Sequence, residues 1–424
     1  MVASKSDCPV CASAKTIGLF HQPAIPSNNS ILCFDAAEAR DWPVGSFGLT
    51  QCCSCGFLFN SEFDPTLVEY SGRIEETQAF SPHFVRYAES LAAEWIDRYD
   101  IRGQTVLEVG CGKAEFLSLM CEIGGNKGIG YDPAVHIDRI DKEAAARLTL
   151  VTELFDDEHV DLGAEALVCR HTLEHVPDVH AFLSMLHRWA VRRSEPPILL
   201  FEVPDVERVL DEVAFWDLFY EHCSYFTRDT LRFAFERAGF EVEDVRAVYD
   251  GQYLVLEARP RPESVDATAV AYPDDVAAVV DRAGRFVERY QSSTAVCRSN
   301  LQRFVDEGKT VVIWGAGSKA VSFLTNLEVG HLVELAVDVN PNKQGRFLVG
   351  TGHPVVGPEA LRGHRDLQVI VMNPVYLSEV TNSLRRLDIP AEITSANDLL
   401  RGPVARLAAA EVLQFQPYGA TSAP

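Results

Sequence analysis

One stretch of the chain, Thr105–Leu117, constrains the fold more than any other. It begins with a short apolar run rich in β-branched residues, which is typical of a buried parallel strand. Gly110-Cys111-Gly112 follows, where glycine permits a tight turn and a close approach of a ligand to the backbone. From Lys113 onward the pattern becomes helical. Strand, glycine turn and helix N-terminus together predict a nucleotide-type pocket.

Two acidic residues accompany this unit. Glu108 lies at the end of the predicted strand, where it would repel a pyrophosphate but could accept hydrogen bonds from a cationic or hydroxyl-bearing ligand. A second predicted strand ends at Asp132, the position at which an acid usually holds a ribose diol. The third glycine of a dinucleotide fingerprint is missing, because Ala114 lies two residues past Gly112. A generic Rossmann crossover, with NAD or without a ligand, remains the alternative at this point.

The acidic-x-Gly-x-Gly pattern resembles motif I of the class I methyltransferases, which use S-adenosylmethionine. The resemblance implies that the cofactor contacts Glu108, Gly110, Cys111 and Gly112. Asp132 matches the ribose-binding acid of the same enzymes.

A histidine-rich segment follows the predicted fourth strand. His171-x-x-Glu174-His175 has the spacing of an inverted zinc-protease motif. We reject that interpretation, because the motif needs one continuous helix, whereas a strand ends just before it and Pro177 follows at once. The segment instead resembles motif IV of the class I methyltransferases. That resemblance implies that His171 lies near the methionine part of the cofactor and that Glu174 and His175 are structural.

Strands and helices alternate between residues 104 and 204, which predicts a doubly wound parallel sheet. Ligands of such sheets bind outside the carboxyl ends of the strands, so we expect Gly110, Asp132, His171 and Glu202 to converge there. The predicted strands are 105–109, 128–132, 148–151, 166–169 and 197–204, with antiparallel strands at 240–245 and 252–258 to close the sheet.

Two Cys-x-x-Cys knuckles, Cys8/Cys11 and Cys52/Cys55, lie near the N-terminus. Four thiolates suit tetrahedral Zn²⁺, and four unrelated buried thiols are the alternative. The chain has eleven cysteines and begins without the apolar core of a signal peptide, so we expect reduced thiols and a cytoplasmic protein. The predicted zinc is structural, since the knuckles are too far apart for a compact DNA-binding finger.

The strand, glycine turn and helix theme returns at residues 309–320, where Ser318 and Lys319 offer donors at a helix N-terminus. The chain is therefore predicted to be an α/β protein of four segments. These are an N-terminal zinc-binding module (1–65), a Rossmann-like class I methyltransferase core (66–258) that opens with a helix over 66–103, a linker and long helix (259–308), and a C-terminal Rossmann-like substrate-binding domain (309–424).

Charge and hydropathy restrict the partners. A net charge of -23 argues against nucleic acid or an anionic membrane as the main partner. The sequence has no apolar run of about eighteen residues, so no transmembrane helix is predicted. No coiled-coil heptad demands an oligomer, and we expect a monomer that acts on a small molecule.

The order of these segments resembles that of the C-methyltransferases of deoxysugar biosynthesis over nearly the whole chain. The most specific matches are the four cysteines, the run Tyr220–Phe226 and the run Asp338–Arg346. Those enzymes methylate a carbon next to the ketone of a nucleotide-linked 4-keto sugar. The resemblance implies that His222 is the base that removes the α-proton and that Glu221 supports it.

The same resemblance assigns further roles. Tyr220 or Tyr225 would hold the enolate, and the nucleotide diphosphate would lie near Lys319, Lys343 and Arg346. The chain departs from these enzymes in having a tyrosine at 220 where histidine is usual. It also lacks their Asn-Asp-Gly type of motif I and their C-terminal Trp-Asn signature.

Two alternatives therefore stay open. One is a methyltransferase that modifies carbon, oxygen or nitrogen of another small metabolite. The other is an inactive zinc-containing interaction protein with a methyltransferase fold.

Overall fold

The computed structural model describes residues 7–136, 140, 145–262 and 270–402. Parts of all four predicted segments lie outside the described residues, namely 1–6 of the zinc-binding module, 137–139 and 141–144 of the methyltransferase core, 263–269 of the linker and 403–424 of the C-terminal domain. Across the described ranges, no helix has both the length and the apolar character needed to cross a membrane.

The strands and helices follow one another along the chain in an α/β order. The strands are β1 (Thr16–Pro26), β2 (Val44–Cys52), β3 (Leu58–Asn60), β4 (Thr105–Val109), β5 (Lys127–Tyr131), β6 (Leu148–Val151), β7 (Ala166–Arg170), β8 (Ile198–Pro204), β9 (Ser224–Tyr225), β10 (Phe240–Val248), β11 (Tyr253–Pro260), β12 (Thr310–Trp314), β13 (Leu335–Val337), β14 (Val355–Val356), β15 (Leu367–Val371) and β16 (Ala391–Ser395). The α-helices are α1 (Ala36–Arg40), α2 (Pro82–Tyr99), α3 (Glu115–Gly124), α4 (Val179–Val191), α5 (Val206–Glu212), α6 (Arg228–Arg237), α7 (Val276–Asp306), α8 (Ser318–Leu327), α9 (Leu377–Arg386) and α10 (Ala396–Leu399).

The largest sheet has seven strands in the order β10-β11-β8-β7-β4-β5-β6. The five strands from β8 to the edge strand β6 are parallel, whereas β11 pairs antiparallel with both β8 and β10. Strands β4 and β7 are almost wholly buried, as expected of parallel strands covered on both faces. The chain leaves β4 towards β5 and returns at β7 on the other side, so a crevice opens at the carboxyl ends of β4 and β7. The predicted Rossmann-like core is confirmed.

A second sheet of five parallel strands has the order β14-β13-β12-β15-β16. Strand β12 comes first in the chain among these five strands and lies in the middle of the sheet. The glycine turn after β12 leads into α8. This arrangement agrees with the predicted Rossmann-like unit in the C-terminal part of the chain.

The N-terminal sheet is antiparallel, and part of it comes from far along the chain. Its order is β1-β2-β3-β9, and the last strand is Ser224–Tyr225. The sheet predicted to lie within residues 1–65 is therefore completed by two residues that follow Glu221 and His222. The N-terminal module directly fixes the position of the segment predicted to carry the base.

The helix predicted over residues 66–103 is much shorter, because α2 begins only at Pro82. Ser81 caps it, since its side chain accepts a hydrogen bond from the backbone N–H of Phe84, and proline is favoured at the first helical position. Residues 68–81 instead run without regular secondary structure along the crevice.

The long helix α7 joins the N-terminal and C-terminal parts. Its Phe286 and Tyr290 rings contact Phe20 of β1, with ring centroids 6.1 and 4.6 Å apart. On the same face, Leu301 and Phe304 are buried in the core that includes Val311 and Ile313 of β12. The apolar face of α7 therefore packs against both β1 and the core that includes β12.

Candidate active site

The crevice is a cavity of about 940 Å³. The N-terminal module, the methyltransferase core and the C-terminal Rossmann-like unit all contribute residues to its lining. It brings together most of the predicted site residues, namely Glu108, Gly110, Cys111, Gly112, Asp132, His171, Glu221, His222, Lys319 and Lys343. Three predicted residues, Tyr220, Tyr225 and Arg346, are not among the described residues that line it.

The first glycine turn is held in place by Asp132. The backbone N–H of Gly112 donates to Oδ2 of Asp132 over 2.9 Å, and the N–H of Ala134 donates to Oδ1 over 2.7 Å. Gly110 has φ of +74°, and a Cβ there would lie 2.0 Å from Oγ1 of Thr172. Only glycine fits at this position, so the turn can bring its backbone directly against a ligand.

Glu108 lies at the bottom of the same turn with an unsatisfied oxygen. The residue is 2% exposed, and burial raises the pKa of its carboxyl to about 8. Oε2 is buried and has no hydrogen-bond partner within the described residues. Such an atom costs stability unless a ligand donates to it.

The segment after β7 holds a buried charged network around Glu202. Arg170 donates from Nε to Oε2 of Glu202 over 2.7 Å, and Nε2 of His171 lies 3.1 Å from Oε1. Tyr87 donates its hydroxyl to the same Oε1 over 3.0 Å. His171 adopts a left-handed backbone with φ of +49°, which a non-glycine residue adopts only when its surroundings hold it there.

Opposing effects set the charges in this network. Burial raises the pKa of Glu202, but Arg170 and His171 outweigh it and lower that pKa to about 2. Burial likewise lowers the pKa of His171, but Glu202 and Glu174 outweigh it and raise that pKa to about 9. Glu202 is therefore anionic and His171 cationic at neutral pH.

His222 lines the same cavity from the loop that precedes β9. The backbone N–H of Asn60 donates to the carbonyl of Cys223 over 2.9 Å and so fixes the loop to the N-terminal sheet. Burial, together with the nearby positive charges of His175, His171 and Lys319, holds the pKa of His222 well below its ordinary value. His222 is therefore neutral at neutral pH, and a neutral imidazole has the lone pair that a base needs.

The side chain of Glu221 accepts hydrogen bonds from the N-terminal module. Its Oε1 accepts from the backbone N–H of Asn29 over 3.1 Å, and its Oε2 accepts from Nδ2 of Asn28 over 3.4 Å. The carboxylate thus anchors the loop to the N-terminal module. Its predicted support of His222 stays a prediction.

Tyr220 and Tyr225 are not among the described residues that line the cavity, and their predicted role in holding the enolate stays a prediction. The hydroxyl of Tyr220 accepts from the backbone N–H of Asp64 over 2.8 Å. That of Tyr225 accepts from the N–H of Phe219 over 3.1 Å and donates to the carbonyl of Phe219 over 3.0 Å. Both side chains are buried, because the chain turns at each of them into the N-terminal sheet.

Two residues near His222 were not predicted as catalytic. The His175 ring meets that of His222 edge-on, with centroids 4.7 Å apart, and the Tyr70 ring lies 6.3 Å from that of His175. The resemblance to motif IV assigns His175 a structural role. The motif IV segment contained the signal for His175, whereas no local pattern marks Tyr70.

The predicted cationic residues differ in their availability. The Lys319 ammonium is paired with Asp217, which also accepts from Nη2 of Arg208 over 2.6 Å. The Nζ of Lys343 lies 3.6 Å from Oδ2 of Asp338. The Arg346 guanidinium stacks on the ring of Phe34 at 4.4 Å, away from the cavity. The predicted place of Arg346 beside the nucleotide diphosphate stays a prediction.

The four predicted thiols come together away from the cavity. The sulfur atoms of Cys8 and Cys55 are 3.7 Å apart, and those of Cys11 and Cys52 are 3.5 Å apart. All four sulfur atoms lie within 4.8 Å of one another and are buried. The separations are too long for disulfide bonds of about 2.05 Å.

Two family models match the chain. Residues 84–245 match a model described as "Methyltransferase domain", and residues 261–389 match one described as "C-methyltransferase C-terminal domain". The chain is an S-adenosylmethionine-dependent methyltransferase. The enzyme is also similar to "C-methyltransferase NovU" of Streptomyces niveus, with 27% identity over 294 residues, which cover 66% of this chain and 69% of NovU.

Solved structures of methyltransferases resemble part of the enzyme. A 1,6-didemethyltoxoflavin-N1-methyltransferase of Burkholderia thailandensis is 18% identical with a TM-score of 0.33, over 43% of this chain and 82% of its own. A SAM-dependent methyltransferase of Aquifex aeolicus is 15% identical with a TM-score of 0.35, over 43% of this chain and 95% of its own. We draw no functional conclusion from either likeness.

Proposed function

We propose that the enzyme methylates a carbon next to the ketone of a nucleotide-linked 4-keto-deoxysugar, with His222 as the base. The observation that carries the proposal is that a neutral histidine and two separate glycine turns face the same cavity. The similarity to NovU and the match to a C-methyltransferase C-terminal domain support carbon as the acceptor atom.

The first glycine turn is the proposed cofactor site, and its residues fit S-adenosylmethionine. The free Oε2 of Glu108 suits the ammonium group of the methionine part, and Asp132 suits the ribose hydroxyls. Gly110, Cys111 and Gly112 leave room for the cofactor against the backbone, and His171 lies on the facing wall. When bound, the cofactor supplies an electrophilic methyl group.

His222 performs the proposed proton transfer. The lone pair of its neutral ring takes the proton from the carbon beside the ketone, and the electrons of the broken C–H bond move into the enolate. The enolate carbon would then form the new bond to the methyl group as the bond between that methyl and the sulfonium sulfur breaks and S-adenosylhomocysteine leaves, while the proton stays on the imidazole of His222. Tyr70 and His175 lie beside His222, where a hydrogen-bond donor would stabilise the enolate oxygen.

The second glycine turn is the proposed site of the nucleotide part. Its geometry repeats that of the first, because the backbone N–H of Ala316 donates to Oδ2 of Asp338 over 2.9 Å. Gly315, Gly317 and Lys343 line the cavity around it. A diphosphate would meet the N-terminus of α8 and the ammonium of Lys343, and it would compete with Asp217 for Lys319.

The four cysteines suit a structural zinc ion. Sulfur atoms bound to Zn²⁺ at about 2.3 Å in a tetrahedron are about 3.8 Å apart, close to the separations of the two thiol pairs. Because β9 belongs to the same sheet as β2, which carries Cys52, the ion would stabilise the loop of His222 from a distance.

Calorimetric titration with S-adenosylhomocysteine, and then with dTDP in its presence, tests the proposal. Binding of both ligands is expected. The His222→Asn variant should then bind both ligands but lose turnover of a dTDP-linked 4-keto-deoxysugar, whereas His331→Asn, which changes an exposed histidine, should keep it. Deuterium uptake beside the ketone, measured with S-adenosylhomocysteine present, isolates the base step.

The outcomes separate the alternatives. If only S-adenosylhomocysteine binds, the enzyme methylates another small metabolite and the sugar assignment fails. If neither ligand binds, the cofactor site itself is refuted. Deuterium uptake that survives in His222→Asn would remove His222 from the role of base.

A further inference from the structure

Three potential metal ligands meet on the wall of the cavity, far from the four cysteines in sequence. Glu174 and His175 belong to a 3₁₀ turn after β7, and His222 lies in the loop before β9. One ligand atom from each side chain lies within 4.8 Å of the others. This trio differs from the inverted protease motif, because His222 takes part and His171 does not.

Two atoms of the trio have no partner. Oε2 of Glu174 and Nδ1 of His175 are buried and lack a hydrogen-bond partner within the described ranges. The Glu174 residue is 2% exposed, so its free carboxylate oxygen is costly to bury. Two of the three side chains therefore carry a buried atom that a ligand could satisfy.

We propose that Glu174, His175 and His222 form a second metal site, which takes a divalent transition ion such as Zn²⁺, Ni²⁺ or Co²⁺. Two imidazoles and one carboxylate are ligands that such ions accept, and the open cavity leaves a coordination position for water. The four-cysteine cluster is chemically different, because it offers sulfur alone and has no opening to the cavity.

The spacing of the ligand atoms suits a single ion. Ligands of a tetrahedral ion with bonds of about 2.0–2.1 Å are about 3.4 Å apart. The three atoms lie within 4.8 Å of one another, which is close enough for one ion to bind them together.

Occupation of the site inhibits catalysis, because a metal ion uses the lone pair with which His222 takes a proton. This consequence rests on the proposed function, whereas the binding itself does not. A chelator that removes the ion from the open site restores the free imidazole.

Titration with Co²⁺ tests the site in the full-length enzyme purified with zinc. One additional equivalent of Co²⁺ is expected, with weak visible d–d absorption and without the intense near-ultraviolet bands of Co²⁺ bound to thiolates. His175→Asn and Glu174→Gln should each weaken this binding by at least about tenfold, whereas His331→Asn should leave it unchanged. Binding of S-adenosylhomocysteine verifies that each variant is folded.

Two results would overturn the proposed metal site. One is the absence of the additional Co²⁺ spectrum in the wild type. The other is an unchanged affinity in both ligand variants, since the ion then binds elsewhere. If Co²⁺ binds with the expected pattern but the protein is inactive on keto sugars, the metal site is supported and the proposed substrate is refuted. Turnover that persists with the site filled refutes the inhibition.

Discussion

Tyr220 stands directly before Glu221 and His222, and the Tyr220→Phe variant separates a structural role from a catalytic one. The side chain is wholly buried, and a Cβ at Gly45 would lie 2.1 Å from its ring. Phenylalanine retains that ring and its contact with Phe63, whose centroid is 5.5 Å away. The substitution therefore removes only the hydroxyl group.

The loss can be worked out from the hydrogen bond of that hydroxyl. The backbone N–H of Asp64, which donates to it over 2.8 Å, loses its acceptor. A partly buried donor left without a partner costs about 1–2 kcal/mol in the free energy of unfolding. We therefore expect a lower urea midpoint for Tyr220→Phe, together with a kcat/KM within about twofold of the wild type.

Equilibrium urea unfolding and steady-state methyl transfer, measured on the same preparations, provide the assay. Tyr225→Phe is the matched control, because its hydroxyl is bonded to both backbone groups of Phe219, and it should behave in the same way. A loss of about 10²-fold or more in kcat at unchanged stability would show that Tyr220 stabilises the enolate. That result would refute the structural assignment.

Three further predictions follow from the site and the zinc module. The acidic limb of the pH profile of kcat/KM should lie below pH 6.5, because the pKa of His222 is lowered and only its neutral form is a base. An acidic limb at higher pH would contradict this expectation. Removal of zinc should abolish methyl transfer, and re-addition of zinc should restore it, although no described cysteine of the cluster lines the cavity. Activity without zinc would contradict the coupling through β9. Glu202→Gln leaves Arg170 and His171 without their carboxylate and should cost about 3–5 kcal/mol in urea unfolding. The pKa of His171 is raised to about 9, so its stabilising contribution is complete below about pH 6.5 and is lost as the pH rises through 9. The wild type should therefore lose more stability than Glu202→Gln between pH 7 and 9.5.

The parallel strands were predictable because their signal is local. The apolar run Thr105–Val109 and its counterpart Thr310–Trp314 each precede a glycine turn, and the structure has a strand at both places. The strand Thr16–Pro26 has no such signal, because His21, Gln22 and Pro23 interrupt its apolar residues. It exists because it pairs with β2 and packs on α7, and both interactions depend on tertiary structure.

The candidate site was predictable only in part. Motif I identified the glycine turn together with Glu108 and Asp132, because the chemistry of the turn is encoded in consecutive residues. Neighbouring residues in an irregular loop point in unrelated directions, so no periodicity could separate Tyr220 from His222. The partner of Lys319 is Asp217, more than a hundred positions earlier in the chain, and a long-range ion pair leaves no local pattern.

The short strand β9 also dictates an order of events during synthesis. Strand β3 pairs with β2 as soon as the N-terminal residues leave the ribosome, but its other edge stays open until Ser224 and Tyr225 have been made. An open edge is a site for wrong pairing and aggregation, which makes the interval in which the methyltransferase core emerges a vulnerable one. When β9 joins the sheet, it closes that edge and at the same moment brings His222 to the cavity. The pairing that completes the N-terminal sheet is therefore also the one that positions His222, the proposed base.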